Sequence, residues 1–157
     1  MKSKYEVYIN EEKGIVVAKL SKRDFEFEVG EVALKKVMAK VNNSSINPTK
    51  FGAKMLPSYV YSYYDDWISK KNINSTVVTR AKCNFEEGDK FVEEIGVYIA
   101  TNRMDVKIAE MAFEFLCDFY EGFMAFLMDV IGAAEKLGEY SLKTIDHISY
   151  LSTIQDN

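Results

Sequence analysis

The stretch EMAFEFLCDFYEGFMAFLMD, which spans Glu110–Asp129, decides the fold expected for this chain. On a helical wheel of about 100° per residue, its carboxylates fall within one arc and its large apolar side chains fall in the opposite arc. The stretch contains no Lys or Arg. The pattern predicts a long central helix over about residues 106–134, with its aromatic face in the domain core and its acidic face outside.

The acidic face of the predicted central helix has two possible interpretations: a solvated surface or a binding surface. It consists of Glu110, Glu114, Asp118, Glu121 and Asp129. Acidic faces often do no more than solvate a helix. However, no basic residue lies four positions from these carboxylates to neutralise them, which favours a docking surface for a basic partner. Further acidic residues precede the stretch and are expected to support the same surface: Glu86, Glu87, Glu93 and Glu94.

The rest of the sequence predicts an α+β fold with an antiparallel sheet of three to four strands packed against several helices. Tyr5–Ile9, Ile15–Leu20 and Phe25–Val29 alternate as strands of an N-terminal meander, and residues 76–83 are expected to add a fourth strand. Apolar spacing and capping residues predict further helices over 31–41, from Asn47-Pro48 to before Pro57, over 58–69, over 90–103 with Asp89 as N-cap, and after Ser141. We expect Gly132 and Gly138 to mark the end of the central helix.

Length and charge suggest one domain with two electrostatically different halves. The 157 residues suffice for a single domain, 1–157, with a substantial core. Residues 1–82 carry a formal charge of +6 and residues 83–157 a charge of −10. We therefore expect a basic β-rich half and an acidic helical half.

The chain is expected to act in the cytoplasm. Residues 1–12 are polar and charged, unlike a signal peptide, and no stretch is apolar enough to cross a membrane. Cys83 and Cys117 lack any partner motif and are expected to be reduced thiols in core-like surroundings.

Common catalytic patterns are missing from the sequence, so we expect a protein that is not an enzyme and has no metal or cofactor. His147 is the only histidine, and no Cys or His pair has metal-ligand spacing. No phosphate-binding glycine loop or Gly-x-Ser-x-Gly motif occurs. The clustered carboxylates lack the Glu-x-x-His pairs of a di-metal helical bundle.

Nucleic-acid binding is an alternative hypothesis, because basic residues and tyrosines populate the first half of the chain. Tyr8, Tyr59 and Tyr61 are candidates to stack bases. The basic residues are Lys19, Lys22, Arg23, Lys35, Lys36, Lys40, Lys50, Lys54, Lys70, Lys71, Arg80 and Lys82. No recognised nucleic-acid-binding motif supports this hypothesis, and a solvated surface is the simpler interpretation.

Residues 79–103, TRAKCNFEEGDKFVEEIGVYIATNR, resemble a segment of small uncharacterised proteins from bacteriophages and prophages of Gram-positive bacteria. The matching positions are Ala81-Lys82-Cys83, Asp89, Phe91, Gly96 and Ala100. The resemblance implies no catalytic residues. It implies a phage-like setting, in which small acidic proteins inhibit host systems and some anti-CRISPR proteins cover a nucleic-acid-binding site with an acidic surface.

The leading hypothesis is thus an inhibitor of phage type whose acidic surface covers a basic nucleic-acid-binding site on a host defence protein. Charge complementarity of this kind mainly raises the association rate and the specificity. A third hypothesis is a homo-oligomer in which copies of the chain share part of the Phe- and Met-rich surface.

Overall fold

The strands and helices follow the order β1 (Glu6–Asn10), β2 (Ile15–Ser21), α1 (Lys22–Asn43), α2 (Phe51–Ser69), β3 (Thr76–Lys82) and α3 (Glu93–Gln155). A 3₁₀ turn, Phe85–Glu87, lies between β3 and α3. The computed structural model describes residues 4–43 and 51–155, with side chains for 4–39 and 58–145. The chain divides into two compact units, Met1–Cys117 and Asp118–Asn157. The single domain stays a prediction.

The predicted α+β class and antiparallel sheet are confirmed. The described strands pair in the order β1-β2-β3, all antiparallel. The β1–β2 hairpin turns at Gly14, whose φ of +56° lies in the left-handed region that glycine tolerates best. In β2, Val16, Ala18 and Leu20 are buried, so alternate residues of the central strand face the core.

The third strand of the predicted meander is wrong, because Phe25–Val29 lies in helix α1. Phe25, Val29 and Ala33 are buried at intervals of four, whereas Phe27 is exposed, which is the burial of a helix and not of a strand. Ser21, the residue before α1, caps the helix: its hydroxyl accepts a hydrogen bond from the Asp24 backbone N–H at 3.1 Å. This local cap outweighs the period-two pattern of FEFEV.

The helix predicted over 58–69 is confirmed, but its beginning differs. Helix α2 starts at Phe51 and continues through Pro57, where the sequence predicts a break. Among the described side chains of α2, Val60, Tyr64, Trp67 and Ile68 are buried and secure residues 58–69 against the core. The predicted cap at Asn47-Pro48 lies outside the described residues.

The long central helix exists, but the expected boundaries of the C-terminal helices are wrong. Helix α3 begins at Glu93 and not directly after Asp89, and it shows no break at residues 103–105. It also continues past Gly132, Gly138 and Ser141. A glycine inside a helix costs only about 1 kcal/mol relative to alanine, so it does not end a helix unless a turn follows.

Helix α3 packs on the sheet through its first turns. The Thr79 hydroxyl of β3 donates a buried hydrogen bond to the Ala100 carbonyl at 2.6 Å. A Cβ placed on Gly96 would lie 2.5 Å from Val16 Cγ2, so only glycine permits this close approach of α3 to β2. The side chains of Arg103 and Lys107 donate to the carbonyls of Arg80 and Val78 and so block the edge of β3.

The core of the first unit centres on the Phe115 ring of α3, which is fully buried. Its centroid lies 5.2 Å from that of Tyr64 and 5.3 Å from that of Trp67, both in edge-to-face geometry. The buried Tyr64 hydroxyl donates to the Glu26 carbonyl of α1 at 2.5 Å. One aromatic cluster therefore joins the three helices.

We expect Phe115→Ala to lower the free energy of unfolding by about 3–5 kcal/mol, because the substitution leaves a cavity between Tyr64 and Trp67. Urea denaturation measures this change. Phe113→Ala is the matched control on the same helix, since Phe113 is 68% exposed. Its effect should stay within about 0.5 kcal/mol, and an equal loss in both variants would contradict the assigned core.

Two glycines of α3 should respond oppositely to alanine. Gly96→Ala should destabilise the fold, because the new methyl group meets Val16. Gly132→Ala should stabilise it by up to about 1 kcal/mol, since nothing lies within 4 Å of a Cβ there and alanine favours the helix. Thermal unfolding of both variants measures the difference, and stabilisation by Gly96→Ala would refute the close packing on β2.

The phenol of Tyr64 should make stability fall at alkaline pH. Burial is the main cause that raises the pKa of Tyr64, with the nearby Glu26 and Asp65 charges adding to it. Because the folded state holds the Tyr64 proton more tightly than the unfolded state, the neutral phenol contributes to the free energy of unfolding. That contribution is fully present below about pH 10 and is lost as pH rises above that value. Tyr64→Phe should therefore lose less stability than wild type between pH 9 and pH 11 in urea denaturation. Tyr61→Phe, at an exposed tyrosine of α2, controls for the lost hydroxyl.

Candidate protein-binding surface

The acidic residues predicted as a partner-binding site are distributed over four places. Glu86 and Glu87 lie in the 3₁₀ turn, Glu93 and Glu94 in the first turn of α3, and Glu110 and Glu114 about five turns later on the same helix. Asp118, Glu121 and Asp129 belong to the second unit. All are exposed except Asp118, which is partly buried. The structure therefore does not gather the nine residues into one patch within either unit.

One predicted acidic residue is already neutralised within the first unit. The Lys71 ammonium, at the end of α2, forms an ion pair with the Glu114 carboxylate and lies 4.3 Å from the centroid of the Trp67 ring. Spacing along α3 misses this partner because Lys71 lies 43 positions away in sequence. Lys107 is also on the same helix as Glu110, and both line one shallow groove beside β3. The charge around Glu110 and Glu114 is therefore mixed.

The second unit departs most from the sequence prediction. The sequence predicts that the aromatic face of Glu110–Asp129 lies in the core, but among the described residues burial ends at Phe115. Beyond residue 117, many large apolar side chains of α3 are at least one-third exposed. They are Tyr120, Met124, Phe126, Leu127, Met128, Val130, Ile131, Leu137, Tyr140, Leu142 and Ile145.

This exposure is unusual for a folded protein in water. Single exposed apolar residues are common, but contiguous apolar patches larger than a few hundred Å² mark surfaces that bind something. Phe126 is 55% exposed and Leu137 and Tyr140 are about as exposed as Tyr8, at 68% and 71%. We name residues 119–145 of α3 the apolar segment. Sequence reasoning placed part of it in the core because amphipathicity shows that a face is apolar without showing what covers it.

The basic residues proposed for nucleic-acid binding are also dispersed. Lys35 pairs with Glu31, Lys70 with Asp66, and Lys71 with Glu114. On the outer face of the sheet, Tyr8, Val17 and Arg80 are neighbours across the three strands, and the Lys19 ammonium lies 5.2 Å from the Tyr8 ring centroid. Tyr59 and Tyr61 are exposed on α2. The side chains of Lys40, Lys50 and Lys54 lie outside the described residues, and nucleic-acid binding stays a prediction.

A small cavity of about 280 Å³ lies where α3 meets the sheet. Its lining is mainly apolar and includes Val16, Ala81, Phe91, Ile95 and the half-buried Cys83. The charged residues of the lining are Lys82, Asp89 and Lys90.

The other cysteine, Cys117, is exposed, so the expectation of a core-like environment is wrong for it. The side chain of His147 lies outside the described residues.

Within the described part of the chain, no cluster of three or more His, Cys, Asp or Glu side chains is arranged to hold a metal ion. In that same part, no helix is both long and apolar enough to span a membrane.

Comparison with protein families, with curated proteins and with solved structures gives no match. The resemblance of residues 79–103 to phage and prophage proteins therefore stays a prediction. The structure places its matching positions in the end of β3, the following turn and the first turns of α3, where Gly96 and Ala100 contact the sheet.

Proposed function

We propose that this protein is a non-enzymatic protein-binding module and that the apolar segment of α3 carries its binding surface. The observation that supports the proposal is the row of large apolar side chains exposed on one helix between residues 119 and 145. Burying one such side chain is worth about 1.5–3 kcal/mol, so several of them supply a strong drive for association. An amphipathic helix is also a common way for one protein to bind another.

The surface combines apolar contact with charge. Glu121 and Asp129 are exposed on the apolar segment, and neither forms an ion pair with any of the described residues. Apolar area would supply the affinity, while the carboxylates would favour partners of complementary charge and raise the association rate. This division of roles agrees with depletion of charge at the centre of protein interfaces and its presence at the rim.

The narrower hypothesis of a phage-type inhibitor is one form of this proposal. In that form the partner is a basic host protein, and the carboxylates of the second unit face its nucleic-acid-binding site. Glu121 and Asp129 support it more directly than Glu114, whose charge Lys71 already neutralises. Reversal of Glu121 to Lys should then weaken binding, and more so at low salt, where charges are less screened.

Site-specific photocrosslinking in cells tests the proposal. A benzoylphenylalanine at position 126 should give covalent adducts heavier than one chain, because Phe126 is an exposed residue of the apolar segment. The same group at position 61 is the matched control, since Tyr61 and Phe126 are 50% and 55% exposed and only Phe126 lies in the segment. Equal or absent adduct formation at the two positions would overturn the proposed function. The mass of each adduct identifies the partner.

A further inference from the structure

Seven positions of the apolar segment form a regular seam. Phe119, Phe123, Phe126, Val130, Ala133, Leu137 and Tyr140 follow one another at alternating intervals of four and three residues. This is the a/d spacing of a coiled coil, which places all seven on one side of the helix. The Phe119 and Phe123 rings are nearly parallel, at 11°, with centroids 6.0 Å apart, which shows that adjacent seam positions share a face.

The two flanks of the seam differ in chemistry. On one side, at the e positions, are Tyr120, Leu127, Ala134 and Ser141. On the other side, at the g positions, are Gly122, Asp129, Lys136 and Lys143. One flank is therefore mostly apolar, and the other carries an acidic residue one heptad before a basic residue. Flanking charges of this kind select the partner and the orientation of a coiled coil.

From this pattern we infer that the apolar segment binds a second copy of itself in antiparallel orientation, around a two-fold axis near residues 131–132. The inference rests on the proposed function and names its partner. In an antiparallel pair, a positions lie opposite d positions and g positions lie opposite g positions. A register that places Val130 opposite Ala133 of the second copy also places Asp129 opposite Lys136, and the two-fold axis repeats both contacts.

The same register matches the rest of the seam. Phe123 lies opposite Tyr140 of the second copy, and Phe126 lies opposite Leu137, so every layer between residues 123 and 140 is apolar on both sides. On the apolar flank, Leu127 lies opposite Ala134. A parallel pair offers no such agreement, because g positions then face e positions and Asp129 would face Ala134. Charge complementarity thus favours a second copy of this chain over an unrelated helix.

Charge exchange in the purified full-length protein tests this register. Asp129→Lys places Lys opposite Lys136, and Lys136→Asp places Asp opposite Asp129, each twice per pair. Each variant should weaken self-association about tenfold in sedimentation equilibrium at low salt. An equimolar mixture of the two variants should restore it, because the mixed pair regains both opposite-charge contacts.

The matched control is Glu135→Lys, a charge reversal at an exposed position outside the seam and its flanks. It should not weaken association, and circular dichroism verifies that all variants keep their helix content. If Asp129→Lys and Lys136→Asp behave like Glu135→Lys, or if their mixture is no better than either alone, the antiparallel register is wrong.

Disulfide formation gives an independent readout of orientation. In a background with Cys83→Ser and Cys117→Ser, the single variants Val130→Cys and Ala133→Cys are mixed and oxidised. The antiparallel register predicts mainly the mixed disulfide between positions 130 and 133, since those Cβ atoms approach within disulfide range. Mainly homodisulfides would indicate a parallel pair and overturn the inference.

Self-association and the proposed binding function can be tested independently. A wild-type protein that sediments as one chain at all concentrations would overturn self-association. If position 126 still gives adducts with another protein in cells, the proposed function stands with a different partner. If neither self-association nor position-specific adducts occur, both are wrong.

Discussion

The edge-to-face packing of Phe115 between Tyr64 and Trp67 is the contact on which the first unit depends. It joins α3 to α2, and the Tyr64 hydroxyl extends the connection to the backbone of α1 through Glu26. The aromatic cluster therefore forms an interior that the three helices share. The first turns of α3 lie on β2 at Gly96 and on β3 at Thr79.

Beyond Phe115 the same helix changes its role. Up to that residue, its apolar side chains at intervals of three to four are buried: Ala100, Met104, Ile108, Ala112 and Phe115. From residue 119 the apolar spacing continues, but the side chains remain half-buried or exposed. A continuous helix with a continuous apolar face thus serves as core in the first unit and as accessible surface in the second. The proposed function follows from that change, and the charged flank beside the seam gives the partner its identity.

Much of the fold could be predicted from local patterns. The hairpin, β3, the helical nature of residues 58–69 and a long C-terminal helix all follow from periodicity and turn residues. The errors arose where two local signals compete. FEFEV has the alternation of a strand, yet Ser21 and Asp24 form a cap and Phe25, Val29 and Ala33 share a helical face. Gly132 and Gly138 are typical of helix C-termini, but helical residues follow both of them, so neither glycine acts as a C-cap.

The candidate site could be predicted only in part. The helical wheel separates acidic from apolar residues on α3, because that separation is a property of sequence alone. It could not show that Lys71, 43 positions away, pairs with Glu114, since that contact depends on how α2 ends. The wheel also could not show that burial on α3 ends at Phe115 among the described residues. That limit depends on which strands and helices cover the apolar face. The a/d spacing of Phe119–Tyr140 was the signal in the sequence that could have identified the seam.

The accessibility of the apolar segment to a partner is the central claim, and hydrogen–deuterium exchange at several protein concentrations measures it most directly. Amides of residues 100–115 should be equally protected at every concentration, because the buried face of this part of α3 packs within the first unit itself. Amides of residues 119–140 should exchange faster on dilution and become protected as concentration rises, since association stabilises the helix there. Protection of residues 119–140 that equals that of residues 100–115 and does not change with concentration would contradict the account.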